Sequence, residues 1–131
     1  MTFSERLAAA RNAPTRWHSC TVILGGEAVS VEVSRLPGRE WVELVERRAP
    51  RDSHRGDHAR GYDRDAVVRD YPPHACKIAE ATPSADEWRN FVGALDSVWR
   101  SAVTDAIWWL NVGQPTARIA NARAQANPTA S

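Results

Sequence analysis

This 131-residue chain has two cysteines, one lysine, almost no net charge and no long apolar run, and each scarcity excludes something. Two cysteines, Cys20 and Cys76, cannot make a dense disulfide framework, although a single bridge stays open. No apolar stretch approaches the roughly 18 to 20 residues of a membrane span, and the N-terminus, with Glu5 beside Arg6, lacks the apolar core of a secretory signal. The expectation is a reduced, cytoplasmic, soluble protein. Seventeen basic residues against sixteen acidic ones leave a formal charge of +1, so no global field recruits nucleic acid or an anionic membrane. Lys77 is the only lysine, which with the alanine-rich ends suggests high-GC coding DNA. Also missing are a Gly-rich phosphate loop, a G-x-S-x-G elbow, an H-E-x-x-H pair and a Cys-His nucleophile pattern. Nothing argues for an enzyme, and no cofactor is implied.

What is present fills one domain. With 43% hydrophobic residues, a chain of this length buries roughly two-thirds of its unfolded surface. Residues 1–16 read as an N-terminal helix or arm, Ser4 to Asn12 being amphipathic and halted before Pro14. From Trp17 to Ser34 the apolar period is two, with β-branched residues on both sides of Gly25-Gly26, so a hairpin is expected. Such a hairpin is unstable alone and its valine face must pack on something. The helix that Pro37 opens, carrying Trp41, Leu44 and Val45, is expected to cover it.

Residues 51–64 have no apolar periodicity and read as a solvated, mobile connector. Val67, Val68, Tyr71, Cys76 and Ile78 surround Pro72-Pro73, which should divide that stretch into a turn and a short helix. Ser84 and Glu87 form a capping box ahead of Trp88, Phe91, Val92 and Leu95 at helical spacing. A last stripe through Trp99, Val103, Ala106, Trp109 and Leu110 runs to a stop at Gly113, leaving 113–131 as a flexible tail. The fold class is α+β: a hairpin or small antiparallel sheet over 17–112, packed against three to five short helices.

Two metal readings lose to simpler ones. His18-x-Cys20 with His74-x-Cys76 supplies four zinc ligands, but structural zinc spacing is usually two to four residues, and a cysteine among valines is more often a small core hydrophobe. Asp52, His54, Asp57, His58, Asp63 and Asp65 alternate with arginines in a segment with nothing to hold ligands rigid, as a solvated loop would. The same alternation cancels the local field of Arg47 to Arg69, which argues against nucleic acid. Among six tryptophans, Trp108 falls opposite the stripe of Trp99, Val103 and Ala106 and is the candidate anchor for a partner or for self-association. Arg51, Tyr62 and Arg64 of the connector are the other candidate partner-binding residues.

Taken in order, Trp41-x-x-Leu44, Pro50-Arg51, the charged connector, Gly61-Tyr62-Asp63, Asp65, Tyr71-Pro72-Pro73, Pro83, the Trp88 helix and a last helix ending in Asn111 resemble one family. They are similar to the tail assembly chaperones of long-tailed, siphovirus-like bacteriophages of high-GC Gram-positive hosts. The resemblance covers roughly residues 29–112; Ala49 stands where a second proline or similar residue often precedes Pro-Arg. It implies a non-enzymatic protein that coats the tape-measure protein, keeps it soluble and helps tail-tube protein polymerise around it. It also implies residence in the host cytoplasm, absence from the mature virion, and often a longer form made by frameshifting. Two other readings stand beside it: a structural head-tail joining or tail-completion protein, and a small metal- or nucleic-acid-binding regulator.

Overall fold

The computed structural model describes residues 1–13 and 16–126 and has an α+β fold. Strands β1 (Trp17–Leu24) and β2 (Glu27–Ser34) form the expected hairpin, with Leu24 opposite Glu27. Gly25 and Gly26 both have positive φ, +58° and +81°, as a two-residue turn matched to strand twist requires. A third strand, β3 (Cys76–Ile78), pairs antiparallel with β2, putting Val33 opposite Cys76 and Val31 opposite Ile78. One face of the sheet therefore carries Val22, Val31, Val33 and Cys76, all at most 1% exposed. The other carries Ser19, Thr21 and Ile23, open to solvent.

Strand β3 replaces the short helix expected after Pro72-Pro73. Only a 3₁₀ turn, Pro73–Ala75, precedes it. The turn that follows holds Ala79 and Glu80 at positive φ without a glycine or asparagine, and is tied by the Ala79 N–H to the Ser30 carbonyl at 2.8 Å. Three residues are too few to show a period, and the turn has none of the residue types that announce one.

Helix α1 (Phe3–Asn12) starts at Thr2, whose hydroxyl accepts from the Glu5 N–H while Glu5 caps Thr2 in return. It buries no residue. Helix α2 (Gly38–Glu46) buries only Leu44, so it is not the main cover of the hairpin. That place belongs to α6 (Ser97–Trp108), which contacts both β1 and β2 and buries Val103, Thr104, Ala106 and Ile107. Helix α5 (Ala85–Ala94) has the expected Ser84–Glu87 capping box and buries Trp88, Phe91 and Val92. The Trp88 indole is wholly buried and donates to the Val68 carbonyl at 2.8 Å.

Gly113 does not end the last helix. After α6 a single π turn, Trp109–Gly113, leads directly into α7 (Gln114–Ala126), where a flexible tail was expected. Asn127 to Ser131, the rest of that tail, lie outside the described residues, as does Pro14. The π turn explains how a helix passes Pro115. The Gln114 N–H reaches back five residues to the Trp109 carbonyl. In that pattern residue 115 would serve the Leu110 carbonyl, but proline has no N–H. Arg35 supplies the missing donor, its Nε lying 2.7 Å from the Leu110 oxygen. Asn111 adds three bonds here: its Oδ1 accepts from the Leu36 N–H, and its Nδ2 donates to the Ile107 carbonyl and the Tyr71 hydroxyl. Tyr71 in turn donates to the Ser34 carbonyl at 2.6 Å. The carbonyls and amides of the π turn and the end of β2 thus satisfy one another in the core.

Candidate functional site

The charged connector is ordered, which corrects the reading of a solvated, mobile loop. It contains two short helices, α3 (Arg55–Arg60) and α4 (Arg64–Arg69), and α4 packs on α5 and α6. Gly61 ends α3 at φ +85°, its N–H bonded to the Asp57 carbonyl, and Asp63 caps α4 by accepting from the Ala66 N–H.

Asp57 organises the segment. It is 0% exposed, and its two oxygens accept five hydrogen bonds: the N–H, Nε and Nη2 of Arg51 and the N–H and Nε of Arg64. The shortest is Arg51 Nε at 2.7 Å. Arg51 reaches onward to Asp63 and Asp65, at 3.2 and 2.8 Å. The Arg51 side chain holds the Asp57 carboxyl far below the usual carboxylate range; burial opposes this, and the Arg51 and Arg64 backbone N–H groups add to it. The bond to Asp57 likewise holds the Arg51 guanidinium in its charged form. A carboxylate buried with a full set of donors stays ionised, because each donor replaces a hydrogen bond lost to water.

The four candidate partner-binding residues converge here in unequal ways. Arg51 and Arg64 are joined through Asp57. Tyr62 is buried, its ring edge-on to Trp41 with centroids 5.5 Å apart, and burial raises its hydroxyl pKa. Trp108 is half-buried, not exposed: the Arg60 guanidinium lies 4.9 Å from its ring centroid while Arg60 Nη2 donates to Asp105 at 2.9 Å. Arg60 thereby fastens the connector to α6. The outward indole is its neighbour Trp109, 42% exposed, which had been read as core. The apolar stripe of α6 runs through Val103, Ala106, Ile107 and Leu110, and Trp109, still bonded to the Asp105 carbonyl as in a regular helix, lies to one side of it. Both rings close over Gly113, where a methyl group would lie 2.6 Å from Trp109 and 2.8 Å from Trp108. Val98, Ile119 and Val42, each about half exposed or more, add further apolar surface.

The metal readings find no support in the geometry. Among the described residues no group of three or more His, Cys, Asp or Glu side chains is placed to hold an ion. His74 contacts Glu40 at 2.7 Å and His58 the Arg51 carbonyl at 3.0 Å, while Asp57, Asp63 and Asp65 are paired with Arg51. Both cysteines are free; burial pushes the Cys76 thiol up to about 12 and raises that of Cys20. Sequence reasoning weighed Asp57 only as a metal ligand and passed over Arg60, because charge alternation alone looks like a solvated surface. The αL glycine at 61 and the Asp63 cap were the signals that could have shown ordered helices there.

Comparison of the chain with family models, curated proteins and solved structures finds no match.

Proposed function

We propose that this protein is a tail assembly chaperone of a long-tailed bacteriophage, acting in the host cytoplasm without catalysis. It binds the tape-measure protein, keeps it soluble and promotes assembly of tail-tube protein around it. The observation that carries this reading is the order of motifs over residues 29–112, from Trp41-x-x-Leu44 through Pro50-Arg51 and Tyr71-Pro72-Pro73 to the helix ending in Asn111.

A physical argument supports it. A chaperone for a long amphipathic helix needs apolar groups on a rigid frame, so that covering the client's stripe does not require ordering its own chain. Trp109 and Val98 stand outward on α6 and the π turn, which are anchored to the sheet beneath. No helix among the described residues is long and apolar enough to cross a membrane. The protein's contacts in this role are with other proteins, the tape-measure and tail-tube proteins, and with further copies of itself.

Co-expression with a phage tape-measure protein is the decisive experiment. The soluble fraction of that protein should rise when this chain is present. No change in solubility would sink the proposal. Recovery of this chain from purified virions would instead favour a head-tail joining or tail-completion component.

A further inference from the structure

At the end of the sheet away from the Gly25-Gly26 turn, Trp17 of β1 and its cross-strand partner Ser34 of β2 line a cleft of about 640 Å³. Helices α1 and α7, neither of which buries a residue, form its sides through Ala10, Gln114 and Arg118, with Ala13 just past the end of α1. Its floor is apolar, made by the buried Leu36 and Leu110 beside the half-buried Trp17. A cleft of this volume is in the range that takes a compact ligand or the side chains of a short segment.

The charge on its walls is one-sided. Arg16, Arg35 and Arg118 line it, and among the described residues no carboxylate does, although acidic and basic residues are nearly equal over the whole chain. Glu40, next to the cleft, has its carboxylate engaged by the lining His74 at 2.7 Å. Arg35 is held by two neutral acceptors, the Leu110 carbonyl and the Gln114 Oε1 at 2.7 and 2.6 Å, so its position is set while its charge is not cancelled. An anchored guanidinium beside an apolar floor, with two more guanidinium groups on the walls, suits carboxylates carried on an apolar stem.

We propose that this cleft receives an acidic amphipathic segment of a partner protein, its apolar side chains on Trp17, Leu36 and Leu110 and its carboxylates on Arg16, Arg35 and Arg118. A bare anion would leave the apolar floor wet, and a purely apolar segment would desolvate the arginines without compensation. The inference goes beyond the chaperone reading and does not depend on it.

The test uses the full chain and two fluorescein-labelled helical peptides. One carries leucines at i, i+3 and i+4 flanked by glutamates, and its counterpart has glutamine at every glutamate. The acidic peptide should bind at least about tenfold tighter than its counterpart, with affinity falling as salt is added. It should also shift the Trp17 indole N–H resonance. Arg16→Glu combined with Arg118→Glu should weaken it by about tenfold or more, with Tm preserved because both side chains are exposed. Arg35 is kept because it completes the π turn. Equal affinity for the two peptides, or an unmoved Trp17 resonance, would overturn the proposal even if the double variant failed to fold. Displacement of the peptide by a lower concentration of single-stranded oligonucleotide would also overturn it, reassigning the cleft to nucleic acid. Failed peptide binding leaves the tape-measure solubility result standing, so the two readings fail separately.

Discussion

Trp88 and Asp57 are both completely buried, yet opposite forces hold their surroundings. Trp88 sits in α5 among Phe91, Val68 and the rest of the apolar core, needing one hydrogen bond for its indole N–H. Asp57 sits under a charged connector, where five donors replace the water it has lost. Apolar burial is additive and nondirectional, so it tolerates approximate geometry. A buried charge tolerates little: with its donors it defines one conformation, and without them it is expelled. The connector is therefore ordered by specificity of pairing, whereas the Trp88 region is ordered by area.

The largest effect should come from the apolar centre. Trp88→Ala leaves a large cavity and frees the Val68 carbonyl, and should cost about 3–5 kcal/mol in denaturant unfolding. A loss under about 1 kcal/mol would mean that the surroundings collapse onto the space.

Asp57→Ala comes next, at about 3 kcal/mol, since it strands the Arg51 and Arg64 N–H groups and leaves two guanidiniums facing each other. This variant also separates the two regions by pH. The folded-state pKa of Asp57 is depressed, so between it and the ordinary value of about 3.9 the unfolded chain binds more protons. Its contribution is therefore complete above about pH 5 and is lost as pH falls through the acid range. Wild type should lose stability over that range more steeply than Asp57→Ala, whereas Trp88→Ala should keep the wild-type slope. Parallel profiles for wild type and Asp57→Ala would contradict the assignment of Asp57 as the connector's charged centre.

A smaller effect is expected where the last helix bends past Pro115. Gly113→Ala gains helix propensity but drives a methyl group against two indoles, for a net loss of about 1–2 kcal/mol and a change in tryptophan fluorescence. Unchanged fluorescence would show that the backbone, not the rings, makes room for the methyl group.

The smallest effects should divide the neighbouring tryptophans. Trp108→Ala removes the surface on which Arg60 rests and should lower stability by about 1 kcal/mol. Trp109→Ala should stay within about 0.5 kcal/mol of wild type and weaken partner binding instead. If both changes act on melting alone, the exposed apolar patch has no part in binding.

Much of this molecule is readable without coordinates, wherever a local rule acts alone. The Gly25-Gly26 hairpin follows from period two and a turn that only such residues make comfortably. The start of α5 follows from Ser84 and Glu87, three residues apart, and its buried face from the spacing of Trp88, Phe91 and Val92. The fold class rests on these elements.

The misreadings share another cause. β3 exists because β2 offers an edge to Cys76–Ile78, not because three residues favour extension. The helix beyond Gly113 continues because Arg35, distant in sequence, serves the carbonyl that Pro115 leaves. Trp108 is half-buried because Arg60, distant in sequence, lies over its ring, while nothing comparable covers Trp109 among the described residues. Of the candidate partner residues, Arg51 and Arg64 were singled out by the sequence, but their junction at Asp57 was not.

The amino-acid sequence by itself determined the hairpin, the capped helix and the apolar faces, since each depends on contacts within a few residues. Only the tertiary structure decided which helix covers the sheet, how the connector is ordered and where arginines gather without carboxylates. Those outcomes depend on pairings between distant residues, and a charge or a lone carbonyl carries no periodicity that names its partner.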